Sequence, residues 1–440
     1  MSVDPTTNVS TGTGPIQSID DRRPLRLALG VALFAAALGV ATPASAETIK
    51  VAFIDPLSGA FAPVGQGILK QFEYVAAMAS SKGWAGKDVK FEMVPFDGKA
   101  SPQESLNQLK SVIDQGIRYV VQGNSSAVAL ALSDAVSKHN QRNPGKELVY
   151  FNYAAVDPAL TNEKCSFWHF RIDANSDQKM EALTSYMKDQ ASVKKVYLIN
   201  QNYSFGKAVA TAAREMLGRK RSDVEIVGDD LHPIGQVKDF APYIAKIKQS
   251  GADSVITGNW GADLALLIKA AKDANLPANF YTYYAGTTGV PTAMGAAGED
   301  RVRFVGNWAP NEKTFTGADI REEFGKKYDG DFYVKQTYDS LKLLAEGIRK
   351  AKSTDPIKVA FAMEGARFAS LTGDVEMRAS DHQLQQSLVI SSWQKKDGKT
   401  VRFDDEKTGY GWRTESVQPD YVGVQPTSCT MTRPKQGAAG

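Results

Sequence analysis

From Thr48 onward, short apolar runs alternate with segments whose apolar positions recur at helical spacing. The run "IKVAFID" (Ile49–Asp55) predicts a strand buried on both faces. "ILKQFEYVAAMAS" places Leu69, Phe72, Val75, Ala76 and Ala79 on one helical face. "DVKFEMVPF" predicts the next strand. "SPQESLNQLKSVIDQG" has a marked helix start, with Ser101 as cap, Pro102 in the first turn and Glu104 completing a capping box. "IRYVVQ", "SSAVALALSDAVSKH" and "ELVYFNY" continue as strand, helix and strand. After "FRIDANSDQ" the pattern restarts: "KKVYLIN", "VEIVGDD", "ADSVITGN" and "ANFYTYY" predict strands with helices between them. "RVRFVGNWAP" leads out of this second unit. Helical segments follow, then "SLVISSWQKKDGKTVRF", which predicts a hairpin turning at Lys396-Asp397-Gly398. Strand–helix alternation predicts parallel sheets covered by helices. The fold class expected is α/β, with two doubly wound units between which the chain crosses more than once.

Composition narrows the class. At 440 residues, 42% hydrophobic and 23% charged, the chain has the make-up of a globular protein with more than one domain. A net charge of +3 is too small to argue for nucleic acid. Arg22, Arg23 and Arg26 precede the apolar run Leu27–Ala41, which ends in "TPASA". A basic region, an apolar stretch too short for a comfortable membrane span and a small-x-small site predict a secretory signal within residues 1–46, behind a polar N-terminal extension. Export out of the cytoplasm to an oxidising compartment would permit the two cysteines, Cys165 and Cys429, to pair and tie the C-terminal tail to the body.

Enzyme constellations are scarce. No G-x-S-x-G, H-E-x-x-H or G-x-x-x-x-G-K-[ST] motif is present, and His139, His169, His232 and His382 lack metal-ligand spacing. Gly65-Gln66-Gly67 reads as helix packing, and Asp229-Asp230 and Asp404-Asp405 as solvated turns. No metal and no cofactor are expected. The stretch "QGNSSAVA" stands out instead. Open parallel sheets bind ligands beyond the carboxyl ends of their strands, and helix N-termini favour anions. Asn124, Ser125 and Ser126 lie at such an end. One serine can cap the helix while the other faces outward, and Gly123 would let a ligand approach the backbone; a capped helix and nothing more is the alternative. Tyr153 and Ala154 lie at the next strand end, and Tyr203, Phe205, Trp260, Tyr283 and Tyr284 lie at three strand ends of the second unit, as a ligand wall or as core.

"IKVAFIDPLSGAFAPVGQG", "IRYVVQGNSSAVALALSD", "AAVDPALT", "FRIDANSDQ" and "NYSFGKAV", in that order and spacing, resemble the periplasmic solute-binding proteins of branched-chain amino acid ABC transporters, the leucine/isoleucine/valine-binding protein family. The likeness spans Glu47 to about Phe403. It implies a type I periplasmic binding protein fold: two lobes joined by three crossovers, near Arg171–Ala174, Asn307–Asn311 and Met377–Gln385. The lobes would comprise 47–172 with 308–380, and 173–307 with 381–440. It also implies a monomer in the periplasm that holds a small-molecule solute in the cleft, performs no chemistry and delivers the solute to a membrane permease. Ser125 and Ser126 match the carboxylate-holding loop, and Ala154 a backbone contact. Val156 falls where amino-acid binders have a hydroxyl-bearing residue, and Phe205 and Trp260 where they have tyrosines. An acidic partner for the ligand ammonium belongs in "TYYAGTTG", which holds no carboxylate. Asp263 could supply that charge, or could simply complement a helix dipole. A small carboxylate with an apolar or aromatic body is therefore expected, such as an aromatic or keto acid. An amino acid, an amide or urea-type solute, a sensing role and a secreted Rossmann-like enzyme are the alternatives.

Overall fold

The computed structural model describes residues 47–435. The expected export segment, with Arg22, Arg23, Arg26 and Leu27–Ala41, lies outside the described residues.

Five parallel strands form the first sheet: β1 (Glu47–Asp55), β2 (Val89–Asp97), β3 (Tyr119–Gln122), β4 (Val149–Asn152) and β5 (His169–Arg171), in the order β2-β1-β3-β4-β5. Helices α1 (Ala62–Ser81), α2 (Pro102–Asp114) and α3 (Ser126–Arg142) connect them. β3 and β4 are buried throughout, which explains their unbroken apolar character. Pro95 is tolerated because β2 is an edge strand and its missing N–H interrupts no central ladder.

The second lobe repeats the plan with β6 (Lys195–Gln201), β7 (Glu225–His232), β8 (Ser254–Thr257), β9 (Asn279–Thr282) and β10 (Val302–Gly306). Its helices are α4 (Ser176–Met187), α5 (Ser204–Lys220), α6 (Ala241–Ser250), α7 (Gly261–Asp273) and the short α8 (Val290–Met294). The chain returns to the first lobe with α9 (Ala318–Tyr328), α10 (Lys335–Ala351) and α11 (Pro356–Met363). A small antiparallel sheet follows, of β11 (Arg367–Ser370), β12 (Gly373–Met377) and β13 (Leu384–Gln385). Finally β14 (Leu388–Lys395) and β15 (Tyr410–Gln418) extend the second sheet antiparallel to β10, giving β15-β14-β10-β9-β8-β6-β7.

Three details differ from the sequence expectations. Residues 381–385 stay with the first lobe, because β13 pairs with β12 and Arg171 N donates to His382 O at 2.8 Å. The hairpin partner of β14 is β15, not "TVRF". That segment is held elsewhere: Asn311 Oδ1 accepts from Arg402 N and Phe403 N, both at 2.9 Å. The last residues also leave the second lobe. Thr427 Oγ1 donates to Thr161 O at 2.6 Å, Met431 is buried in the first-lobe core, and Arg433 pairs with Glu364 at 2.8 Å. The chain thus passes between lobes a fourth time, beyond the short 3-10 helix Asp420–Gly423.

Cys165 and Cys429 form a disulfide, with Cα atoms 5.7 Å apart and a sequence separation of 264. It fastens this tail to the first lobe. Replacing both cysteines by serine is expected to cost about 2–4 kcal/mol, through the loop-closure entropy restored to the unfolded chain. Urea denaturation of the double variant checks this, and limited proteolysis should then cut the tail first.

Candidate functional site

The loop between β3 and α3 is organised by Asp55, the last residue of β1. Its carboxyl accepts hydrogen bonds from Gly123 N (3.3 Å), Asn124 N (3.0 Å) and the Tyr153 hydroxyl. Asn124 Nδ2 reaches the same hydroxyl at 2.9 Å. A Cβ on Gly123 would lie 2.7 Å from the Tyr153 ring and 2.8 Å from Ala154 N, so glycine is required by this tyrosine rather than by a ligand. Burial pushes the Asp55 carboxyl up to about 7, against the pull of its Tyr153, Asn124 and Gly123 donors.

Ser125 then adopts φ 81°, ψ 113°, a conformation that non-glycine residues rarely take. Backbone strain of this kind gathers at ligand sites, where surrounding contacts over-determine it. The side chain of Ser125 makes no capping hydrogen bond, and Ser126 Oγ accepts from Asp157 N at 3.3 Å. Neither hydroxyl caps α3, so the capping reading does not hold. Ser126 keeps its O–H to donate, and the first-turn N–H groups have no intrahelical acceptor.

Across the cleft stands the aromatic wall. Tyr203 and Trp260 are the residues immediately before α5 and α7, and Trp260 Nε1 donates to Tyr203 Oη at 3.0 Å. Phe205 packs edge-on against Tyr203 and Tyr284, at 5.8 and 6.0 Å. Two contacts join the lobes over the cavity: Phe61 against Trp260 at 4.2 Å, and Tyr284 Oη donating to Ala154 O at 3.1 Å. The cavity between them measures about 110 Å³. Apolar cavities of similar order accept a benzene-sized molecule, so the space suits a small solute.

Asn124, Ser125, Ser126, Ala154 and Val156 line this cavity from the first side; Tyr203, Phe205, Trp260 and Tyr284 line it from the other. Tyr153 does not. Its ring is fully buried between Phe53 and Phe72, at 6.3 and 5.2 Å, because its hydroxyl is drawn to Asp55. Asp263 is also absent from the lining: its Oδ2 accepts from Gln201 Nε2 (2.7 Å) and Gly235 N (2.8 Å), bracing the loops of the second lobe.

Several lining residues were not foreseen. Asp173, on the first crossover, and Lys179, on α4, form a buried ion pair at 3.0 Å. Lys179 also lies 3.3 Å from Asn307 Oδ1, on the second crossover, and 5.1 Å from the Tyr284 ring centre. Burial raises the Asp173 carboxyl, and Lys179 opposes the shift. A reciprocal capping box of Asn175 and Gln178 starts α4 and sets Lys179 one residue further on; "NSDQ" carried that signal. Arg321 and Asp405, paired at 2.6 Å, line the cavity too, so Asp405 is no solvated turn.

Comparison with known proteins agrees with this geometry. A family model described as "Periplasmic binding protein" matches residues 48–399. The chain belongs to that family. It is 34% identical to "Leu/Ile/Val-binding protein homolog 4" of Brucella suis biovar 1, over 93% of this chain and 98% of that one. The structure of the leucine-, isoleucine-, valine-, threonine- and alanine-binding protein from Brucella ovis, in a closed conformation, superposes with a TM-score of 0.77 at 31% identity, covering 88% of this chain and 100% of the other. An R. palustris ABC transporter solute-binding protein in complex with benzoate shares the fold, with a TM-score of 0.74 at 20% identity over 87% and 99% of the two chains. This family member is a binding protein of the ABC-transporter type and not an enzyme.

The Asp55 assignment has a sign that can be measured. Its folded value is raised above the ordinary 3.8 to about 7, so the folded state holds the proton longer than the unfolded chain. This contribution is full below about pH 4 and is lost as pH rises through about 7. Wild-type stability should therefore fall relative to Asp55→Asn between those values, read by chemical denaturation. Equal pH slopes for the two proteins would refute the assignment.

Proposed function

We propose that the protein is the extracytoplasmic solute-binding component of an ABC importer, and that it takes a small carboxylate bearing an apolar or aromatic body. The observation that carries this reading is the pair Ser125 and Ser126: two hydroxyls left unused by the helix they begin, facing aromatic side chains across one cavity. Hydroxyls and first-turn N–H groups donate to a carboxylate, and the helix dipole favours its charge. Tyr203, Phe205, Trp260 and Tyr284 then cover the body, with offset and edge-on packing suited to a flat ring.

The charge balance favours an acid without an ammonium. Ala154 O, an acceptor that a ligand ammonium could use, already receives the Tyr284 hydroxyl. The carboxylate in the lining nearest to the hinge, Asp173, is committed to Lys179. A buried ammonium without its own partner is disfavoured. Aromatic and keto acids fit this arrangement better than α-amino acids. In this reading the lobes part at the Phe61–Trp260 and Tyr284–Ala154 contacts to admit the solute, and the closed monomer is what a membrane permease receives.

A thermal-shift screen against aromatic acids, keto acids, amino acids and amides tests the class. A ligand at a hundredfold excess over Kd adds about 2.7 kcal/mol of stability. Stabilisation by amides alone would overturn it. With a ligand in hand, Ser126→Ala should weaken binding by about 1.5–3 kcal/mol in calorimetry, the cost of a charge-assisted hydrogen bond. Trp260→Ala should cost a cyclic acid more affinity than a short aliphatic one, and equal losses would remove the flat-ring argument.

A further inference from the structure

One wall of the cavity shares no element with the serine loop. It is formed by the end of β10, the second crossover and β15. Trp412, on β15, packs its ring against Phe304 of β10 at 4.4 Å and is 4% exposed. Its indole Nε1–H has no hydrogen-bond partner among the described residues. Asn307, also 4% exposed, lies just beyond β10. Its Oδ1 is occupied by Lys179 and Gln336, but its Nδ2 has no partner among the described residues. Both residues line the same cavity as Ser125 and Ser126. Buried polar groups are nearly always paired, so two unpaired donors lining one cavity call for an explanation.

Gly286 adds a third observation. It lines the cavity beside the indole, and a Cβ built on it would sit 3.5 Å from Trp412 Nε1 and 3.6 Å from the Phe304 ring. Those are ordinary contact distances, so packing does not demand glycine here. What glycine does is leave the space beside the indole nitrogen open.

We propose that this wall is a second polar subsite, which takes a neutral hydrogen-bond-accepting oxygen on the body of the solute, such as a phenolic hydroxyl, a ketone or an ether. The proposal rests on the carboxylate reading above and narrows it. Indole N–H and amide NH2 donate only, so their partner must accept. The charge of Lys179 is already met by Asp173 at 3.0 Å. A second carboxylate would bring an uncompensated charge into a buried site, whereas a neutral oxygen satisfies the donors without one.

The test is calorimetric titration with two pairs of acids that differ by one oxygen: benzoate with 4-hydroxybenzoate, and phenylacetate with 4-hydroxyphenylacetate. Terephthalate serves as the doubly charged control. In the wild-type protein the hydroxylated member of at least one pair should bind about tenfold more tightly, and more tightly than terephthalate. Trp412→Phe removes the donor, and Gly286→Ala fills the space beside it. Each should reduce that ratio by about fivefold or more, with folding checked by circular dichroism. If Trp412→Phe does not fold, Gly286→Ala decides. Equal binding within both pairs, a ratio unchanged in the variants, or equal weakening of both members would overturn the subsite while leaving the carboxylate reading intact. Failure of all these acids to bind the wild type would overturn the subsite together with the aromatic-acid form of the carboxylate reading, and binding of keto acids in the screen above would then keep the carboxylate reading itself.

Discussion

A single buried carboxyl holds the binding end of the first lobe together. Asp55 joins three segments far apart in sequence: its own strand, the loop at Gly123-Asn124 and the strand end at Tyr153. Without it, the backbone N–H groups of Gly123 and Asn124 would be buried unpaired, a penalty of about 1–3 kcal/mol each, and the Tyr153 hydroxyl would lose its acceptor. With it, the loop is drawn down onto the sheet and Ser125 is forced into a left-handed conformation. The residues before the serine pair fix the loop, so neither serine hydroxyl is spent on capping the helix. Aspartate, rather than serine, makes the site rigid; serine makes it receptive.

Much of the architecture was legible in the chain. The alternation of apolar runs and helical spacing is enforced by sheets buried on both faces, so the order of elements in each lobe could be read directly. The serine loop was visible because a glycine, an amide and two hydroxyls at a strand end are chemically unusual. What could not be read was any role set by contacts across the fold. Tyr153 and Val156 look equivalent in "FNYAAVDPALT", yet Tyr153 is taken into the core by a residue 98 positions away and Val156 faces the cavity. Asp173 and Lys179 have ordinary surroundings in "FRIDANSDQK" and acquire meaning only when the crossover turns them towards Asn307. Asp405 seemed half of a solvated turn until Arg321 was found beside it. Glycine was read for the wrong reason at position 123, where the approaching group is a ring of the protein itself.

The two walls of the cavity differ in how they are held. The serine loop is fixed by hydrogen bonds within one lobe. The aromatic wall is braced partly across the cleft, through Phe61 and the Ala154 carbonyl. Thr288 and Tyr333 add a hydroxyl–hydroxyl bond between lobes at 3.0 Å. These bridging contacts set a side chain of one lobe against a ring, a carbonyl or a hydroxyl of the other.

The tail gives the molecule one more cord than its fold requires. Cys165 and Cys429 stand on either side of the whole second lobe in sequence, so their bond closes the chain into a loop that begins and ends on the first lobe. Reduction would open that loop without touching either sheet, and the last residues would then be held by the contacts of Thr427, Ser428, Met431 and Arg433 alone.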